Sequence, residues 1–116
     1  MDRHTFSRLE RIRKKTDFTT IYAKGVRFHT QHFTVITHWN SLGTRRLGLT
    51  VNRKVGTAVQ RNRIKRLLRE FFRLNKERLP NSEDIIIIAR PSVTSLTYED
   101  ILLELDSLLT IRTDAR

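Results

Sequence analysis

The chain has 116 residues, 38% of them hydrophobic and 30% charged, which suits one modest folded core and is too apolar for a disordered segment. It contains no cysteine, which excludes disulfides, thiolate metal sites and a cysteine nucleophile and is typical of a cytoplasmic protein. No apolar run is long enough to predict a membrane span, whereas the net charge of +11 favours a polyanionic partner.

The positive charge is concentrated in the first two thirds of the chain. Residues 1–80 carry 20 Lys+Arg against 5 Asp+Glu, and residues 81–116 carry 3 against 7. This segregation is typical of proteins that bind nucleic acid, although a solvated basic face or attraction to anionic lipid stays open at this point. Because no repeat or linker interrupts the sequence, we predict one domain over residues 1–116, with a basic arm at 1–15.

A short helix and three strands are predicted after the arm. Thr16 is a candidate cap for a helix over about 17–24, and Gly25 is a natural residue to end that helix. Gly48, within the third strand, indicates the close approach of a neighbouring element. From β-branched enrichment and alternation, the strands are predicted at 26–29, 33–39 and 46–52.

The second half of the chain predicts helix, strand and helix. Thr57 and Gln60 have the spacing of a capping box and begin a helix that runs to about Arg78. The isoleucine-rich segment 84–90 is too short for a helix and is typical of a buried central strand. Thr97 then caps a last helix with an apolar stripe that includes Leu108 and Leu109. The order αβββαβα predicts an α+β fold.

The helix over 57–78 is divided into two faces. A core-facing stripe is formed by Ile64, Leu67, Leu68, Phe71 and Leu74. The opposite face carries Arg61, Asn62, Lys65, Arg66, Arg69 and Arg73. Like charges four residues apart destabilise a helix, and the wheel places Glu70 outside this face, nearer Arg63 and Arg66. Five uncompensated cations on one face therefore predict a phosphate-binding surface.

Three aromatic residues are candidates for stacking on bases. Phe18 and Tyr22 lie four residues apart on the first helix, and their pattern is equally consistent with core packing. Phe72 lies at the edge of the basic face, where packing is favoured over a role as a stacking platform.

The chain has no pattern typical of a hydrolytic centre. Its four histidines lack cysteine partners and helical i,i+4 pairing, so a metal site of ordinary spacing is not predicted. Carboxylates are scarce in the basic two thirds, where a two-metal nuclease would need them. We therefore predict no catalytic and no metal-ligating residues in the chain itself.

Segment 61–69, Arg-Asn-Arg-Ile-Lys-Arg-Leu-Leu-Arg, together with segment 48–59 before it, resembles the signature of the bacterial ribonuclease P protein family. The resemblance extends to Lys15–Phe18, to 84–90 and to 96–99. It implies an α/β sandwich with a left-handed βαβ crossover. It also implies a large catalytic RNA as partner, and removal of the 5′ leader from precursor tRNA as the joint activity. The RNA would hold the catalytic Mg²⁺ ions.

The resemblance also implies roles for individual residues. Phe18 and Tyr22 match aromatics that line a leader-binding cleft, and Ile36 occupies a cleft position where some members carry an aromatic. The basic arm at 3–15 also matches a family feature that is expected to contact RNA. The positions that match residues contacting the catalytic RNA are Arg53, Lys54, Arg61, Asn62, Arg63, Lys65, Arg66 and Arg69.

Two other functions remain open from the residues alone. A stand-alone ribosomal or assembly protein would use the same basic helix to bind RNA. A helix-turn-helix DNA-binding protein is disfavoured, because the basic helix follows a strand and a glycine turn and not a scaffold helix.

Overall fold

The computed structural model describes residues 6–91 and 95–114, with side chains described as far as Asp106. Helices and strands follow one another in the predicted order. The three helices are α1 (Lys15–Lys24), α2 (Ala58–Asn75) and α3 (Tyr98–Asp114). The four strands are β1 (Val26–His29), β2 (Phe33–Trp39), β3 (Arg46–Thr50) and β4 (Glu83–Ala89).

The strands form one mixed sheet in the order β1-β2-β4-β3. β2 is antiparallel to both β1 and β4, whereas β3 and β4 are parallel neighbours joined through α2. β4 therefore lies inside the sheet, and its run of isoleucines confirms the prediction of a buried central strand. The parallel pair makes β3-α2-β4 a crossover unit, and its left hand stays a prediction.

The sheet separates two hydrophobic clusters. Ile85 and Ile87 of β4 belong to the larger one, which is filled from α2 and α3. Ile86, pointing to the opposite side, belongs to a smaller cluster that includes Ile21 of α1. Alternation along one strand thus places α1 on one face and the basic helix on the other.

α1 differs from the prediction at its start and ends where predicted. It begins at Lys15 after Lys14, which provides no side-chain cap, so the capping role predicted for Thr16 is wrong. Gly25 ends the helix as predicted, with a φ of −74°. A Cβ there would lie 2.5 Å from Cγ2 of Ile36, so glycine is needed because β2 approaches closely.

The caps of the two longer helices confirm the sequence interpretation. Thr57 Oγ1 accepts a hydrogen bond from the Gln60 amide at 3.2 Å, and Gln60 Oε1 accepts one from the Thr57 amide at 2.8 Å. Thr97 and Asp100 exchange the equivalent pair of bonds before α3. The predicted Leu108 and Leu109 contacts lie outside the described side chains.

The buried face of α2 is shifted slightly from its prediction. Ile64, Leu68 and Phe71 are buried, but Leu74 is 41% exposed and was wrongly assigned to the core stripe. Phe72 takes that place, being only 2% exposed. Phe72 therefore packs inside, as favoured, with its ring centroid 5.4 Å from that of Phe6 in the arm.

The described part of the arm, residues 6–14, is docked on the body of the protein. The Ile12 amide donates to the Leu47 carbonyl at 3.0 Å, beside the edge strand β3. Lys76 Nζ lies 2.7 Å from Glu10 Oε2 in a largely buried ion pair. Burial would raise the pKa of Glu10, but hydrogen bonds from Lys76 and Ser7 more than offset it and lower that pKa. The arm is thus part of the folded domain.

Candidate RNA-binding surface

The exposed side of α2 carries a line of cations, which we call the basic ridge: Arg61, Lys65, Arg66 and Arg69. Arg66 and Arg69 are exposed, as is Asn62 beside them, and Lys65 is half-buried. Within residues 6–91 and 95–106, Lys65, Arg66 and Arg69 make no hydrogen bond or ion pair to another side chain. The ridge therefore keeps its positive charge uncompensated and accessible.

Arg73 does not belong to this ridge. Its Nε lies 2.8 Å from Glu70 Oε1, and the two side chains form an ion pair across one helical turn. The expectation that all five cations lack an acidic neighbour is therefore wrong for Arg73. The expectation that Glu70 lies nearer Arg63 and Arg66 is wrong as well. Residues three apart are neighbours on a helix surface, and the long arginine side chain reaches back to the carboxylate.

The N-terminal end of the ridge is held by a turn ahead of α2. Asn52 Oδ1 accepts a hydrogen bond from the Lys54 amide and caps the 3₁₀ turn Arg53–Val55. Gly56 follows with a φ of 151°, and its carbonyl accepts a 2.9 Å bond from Arg61 Nη1. This turn places the exposed side chains of Arg53 and Lys54 beside the start of the ridge. Arg63 lies half-buried, off the ridge.

A small open pocket, which we call the junction pocket, connects the ridge to the opposite face of the sheet. Its walls come from the arm, α1, β3 and α2, and its volume is about 190 Å³. No acidic residue lines it. The residues that contribute charge or an aromatic ring are Phe6, Arg11, Arg13, Phe18, Lys65 and Arg69. Folding thus brings the basic helix and the aromatic helix α1 to one concavity.

Phe18 and Tyr22 are half-buried side by side on α1, with ring centroids 6.2 Å apart. A Cβ on Gly48 would lie 2.8 Å from Phe18 Cζ, which confirms the close approach expected at that glycine. The Tyr22 hydroxyl lies 2.9 Å from Thr50 Oγ1. Each ring is thus held by the sheet on one side and keeps an accessible part on the other.

Ile36 is not accessible, although the resemblance placed it in the cleft. It is 0% exposed and packs in the smaller cluster with Ile21 and Ile86. The close approach of Gly25 contributes to this burial.

A polar group at the end of the same sheet face was missed by the sequence analysis. Arg90 Nη2 lies 3.2 Å from His29 Nδ1 and 3.4 Å from Thr34 Oγ1. Arg27 lies on the same face, because its cross-strand partner is Ile36. The sequence signal that could have found this group is the alternation of side chains along a strand, since every second residue lies on the same face as Ile36.

The described residues contain no group of three or more His, Asp or Glu side chains that could hold a metal ion. The buried Asp84 carboxylate is already paired, since Arg46 binds both of its oxygens at 2.7 Å. None of the described helices combines the length and apolar character needed to cross a bilayer.

Comparison with known proteins places this surface in context. The family model described as Ribonuclease P matches residues 6–112. The chain belongs to the ribonuclease P protein family. It is 51% identical over 110 residues to the ribonuclease P protein component of Syntrophus aciditrophicus, covering 95% of this chain and 92% of the relative. The corresponding protein of Desulfovibrio desulfuricans is 45% identical, with 94% and 87% covered.

Solved structures from the family agree with the fold. The Staphylococcus aureus RNase P protein superimposes with a TM-score of 0.81 at 39% identity, covering 89% of this chain and 94% of that one. The Thermotoga maritima protein gives a TM-score of 0.78 at 35% identity, covering 86% and 94%. Membership makes the chain a subunit of an endoribonuclease that processes tRNA and has an RNA partner. A stand-alone RNA-binding protein is therefore not favoured.

Proposed function

We propose that the chain binds the catalytic RNA of ribonuclease P through the basic ridge, and the 5′ leader of precursor tRNA across the half-buried rings of Phe18 and Tyr22. In this proposal it assists cleavage of the leader by placing the substrate, while the catalytic RNA carries the chemistry. The single observation that carries the proposal is the uncompensated ridge.

Uncompensated cations on one helix face favour a polyanion for a physical reason. Repulsion between like charges at i,i+4 costs a few tenths of a kcal/mol per pair in an isolated helix. A phosphate backbone relieves that repulsion, and the release of its counterions adds a further gain in free energy. Guanidinium groups also donate forked hydrogen bonds that match phosphate oxygens. Arg53 and Lys54 extend the same surface at the start of α2, and Arg63 is retained as a flanking contact.

The aromatic face supports leader binding. Exposed rings bind any nucleobase by stacking, and single strands are commonly held by rings next to cations. Phe18 lines the junction pocket together with Lys65 and Arg69 of the ridge. One RNA-bound surface can therefore continue from α2, around β3, to α1.

The carboxylates of the chain support a division of labour in which Mg²⁺ is held mainly by RNA. Asp84 is paired with Arg46, which also contacts Asp17, and Glu10 is paired with Lys76. A hard cation prefers several carboxylate or phosphate oxygens, and the ridge offers only cations. The protein would instead lower repulsion between the catalytic RNA and its substrate, and so favour metal binding indirectly.

The test is cleavage of precursor tRNA by the catalytic RNA at low Mg²⁺, with and without the chain. We expect the chain to increase leader removal. Asp84→Asn is not a suitable control, because the Asp84 carboxylate is buried and paired with Arg46. Leu103→Ser, on the exposed side of α3, is the matched control and should retain full stimulation. Equal cleavage with and without the wild-type chain would contradict the proposal.

A further inference from the structure

Arg27 is exposed on β1, yet its guanidinium has a defined position. Its Cα pairs across the sheet with Ile36, so the side chain lies on the α1 face. Nη2 donates a 3.0 Å hydrogen bond to the Tyr22 carbonyl, and Cζ lies 6.0 Å from the centroid of the Tyr22 ring. Two contacts to the same residue thus hold the guanidinium over the ring of Tyr22.

The surroundings of Arg27 explain why a stacking role suits it better than an ion pair. None of the carboxylates in the described residues pairs with it. Its neighbour Ile36 is fully buried, so this part of the sheet face offers no aromatic ring of its own. A guanidinium plane is weakly hydrated and stacks on nucleobases much as an aromatic ring does.

We propose that Arg27 and Tyr22 together form a composite stacking platform for one base of the leader. The inference deepens the proposed leader binding and rests on it. Tyr22 supplies the ring, which is supported by Thr50, and the guanidinium of Arg27 lies over it on the side of β1. His29, Thr34 and Arg90, at the end of the same face, place donors next to the platform.

The guanidinium of Arg27 is already held in place before any RNA binds, and this favours binding. A free arginine side chain loses rotamer freedom when it stacks, whereas the bond to the Tyr22 carbonyl already restricts Arg27. The platform is formed by planar groups, so the larger π-surface of a purine should be preferred over that of a pyrimidine at this leader position.

The experiment compares Arg27→Ala and Arg27→Lys holoenzymes, using substrates with a one-nucleotide leader and with a long leader. Arg27→Lys is the matched control, because it keeps the charge and loses the plane. We expect both variants to bind the long-leader substrate at least about fivefold more weakly, the lower range for loss of one stacked base. Binding of the one-nucleotide substrate should be unchanged. Circular dichroism and thermal unfolding verify that both variants fold.

Leaders with a single abasic residue at successive positions identify the stacked base. At one leader position, an abasic residue should weaken binding to the wild-type protein. With that abasic leader, Arg27→Ala and wild type should bind with equal affinity. The dependence of affinity on salt should have the same slope for wild type and Arg27→Ala. Rescue by lysine, together with a slope reduced by about 0.7 in Arg27→Ala, would instead show a phosphate contact and overturn the inference.

The outcome separates this inference from the proposed function. If long leaders bind more tightly and Tyr22→Ala removes that advantage while Arg27→Ala does not, the platform is overturned and leader binding stands. If wild type shows no advantage for long leaders, leader binding itself fails and the platform fails with it.

Discussion

Arginines on α2 that look equivalent in the sequence differ in what surrounds them. Arg66 and Arg69 are exposed and have no carboxylate partner in the described part of the chain, whereas Arg73 is paired with Glu70. The charge of Arg73 is therefore partly neutralised before any RNA binds. An ion pair at the surface contributes little to stability, but it reduces what the cation can offer to a phosphate.

We expect Arg66→Ala and Arg69→Ala each to weaken binding of the catalytic RNA by about 1.5–3 kcal/mol, the range for loss of a charged hydrogen bond. Arg73→Ala is the matched control on the same helix and should lose clearly less. The measurement is the dissociation constant of each variant at one fixed salt concentration. Equal losses at all three positions would show that the Glu70 pair has no influence.

The two rings of α1 are distinguished from core residues by their accessible parts. We expect Phe18→Ala or Tyr22→Ala to weaken binding of substrates with long leaders about 5- to 10-fold, as one stacked base predicts. Substrates with a one-nucleotide leader should bind nearly as before. Equal losses for both leader lengths, or loss of folding on thermal unfolding, would assign the rings to the core alone.

At the scale of the elements, prediction succeeded where the signal was local. The start of α2 is encoded within four residues by Thr57 and Gln60, and the central strand by its isoleucine run. The docking of the arm was not predictable, because Glu10 meets Lys76 across 66 positions of the chain. The basic ridge was identified from residue spacing. The sheet face on which Ile36 and Arg27 lie was not, because it depends on the register of β1 with β2.

α3 is attached to the β1–β2 connection by one carboxylate. Glu104 accepts hydrogen bonds from the His32 amide at 2.8 Å, from His32 Nδ1 at 2.7 Å and from the Thr30 hydroxyl. Burial would raise the pKa of Glu104, but these bonds more than offset it and lower that pKa below its ordinary value of 4.5. The charged form is therefore favoured in the folded state.

This direction predicts how stability depends on acid. A lowered carboxyl pKa stabilises the fold above the unfolded pKa of 4.5, and that stabilisation is lost as the pH falls through the lower folded value. Glu104→Gln should therefore cost about 1–2 kcal/mol at neutral pH and progressively less below pH 4.5. Thermal unfolding against pH measures the difference, with Glu99→Gln as the exposed control on α3. A difference that is constant with pH would contradict the assignment.

At the scale of the whole molecule, the fold brings basic residues that are far apart in the chain to one place. The arm covers the edge of β3 and carries Arg11 and Arg13 into the junction pocket, where Lys65 and Arg69 also lie. Covering a strand edge also protects it from pairing with other chains. The domain therefore brings cations of the arm and of α2 together beside the edge of its sheet.

The salt dependence of affinity for the catalytic RNA tests this surface most directly. Neutralising about four phosphates with the basic ridge predicts a log–log slope of magnitude about 3 or more, and Arg69→Ala should reduce it by about 0.7–0.9. A wild-type slope below about 1, or one unchanged in Arg69→Ala, would contradict the account that the ridge binds the RNA backbone.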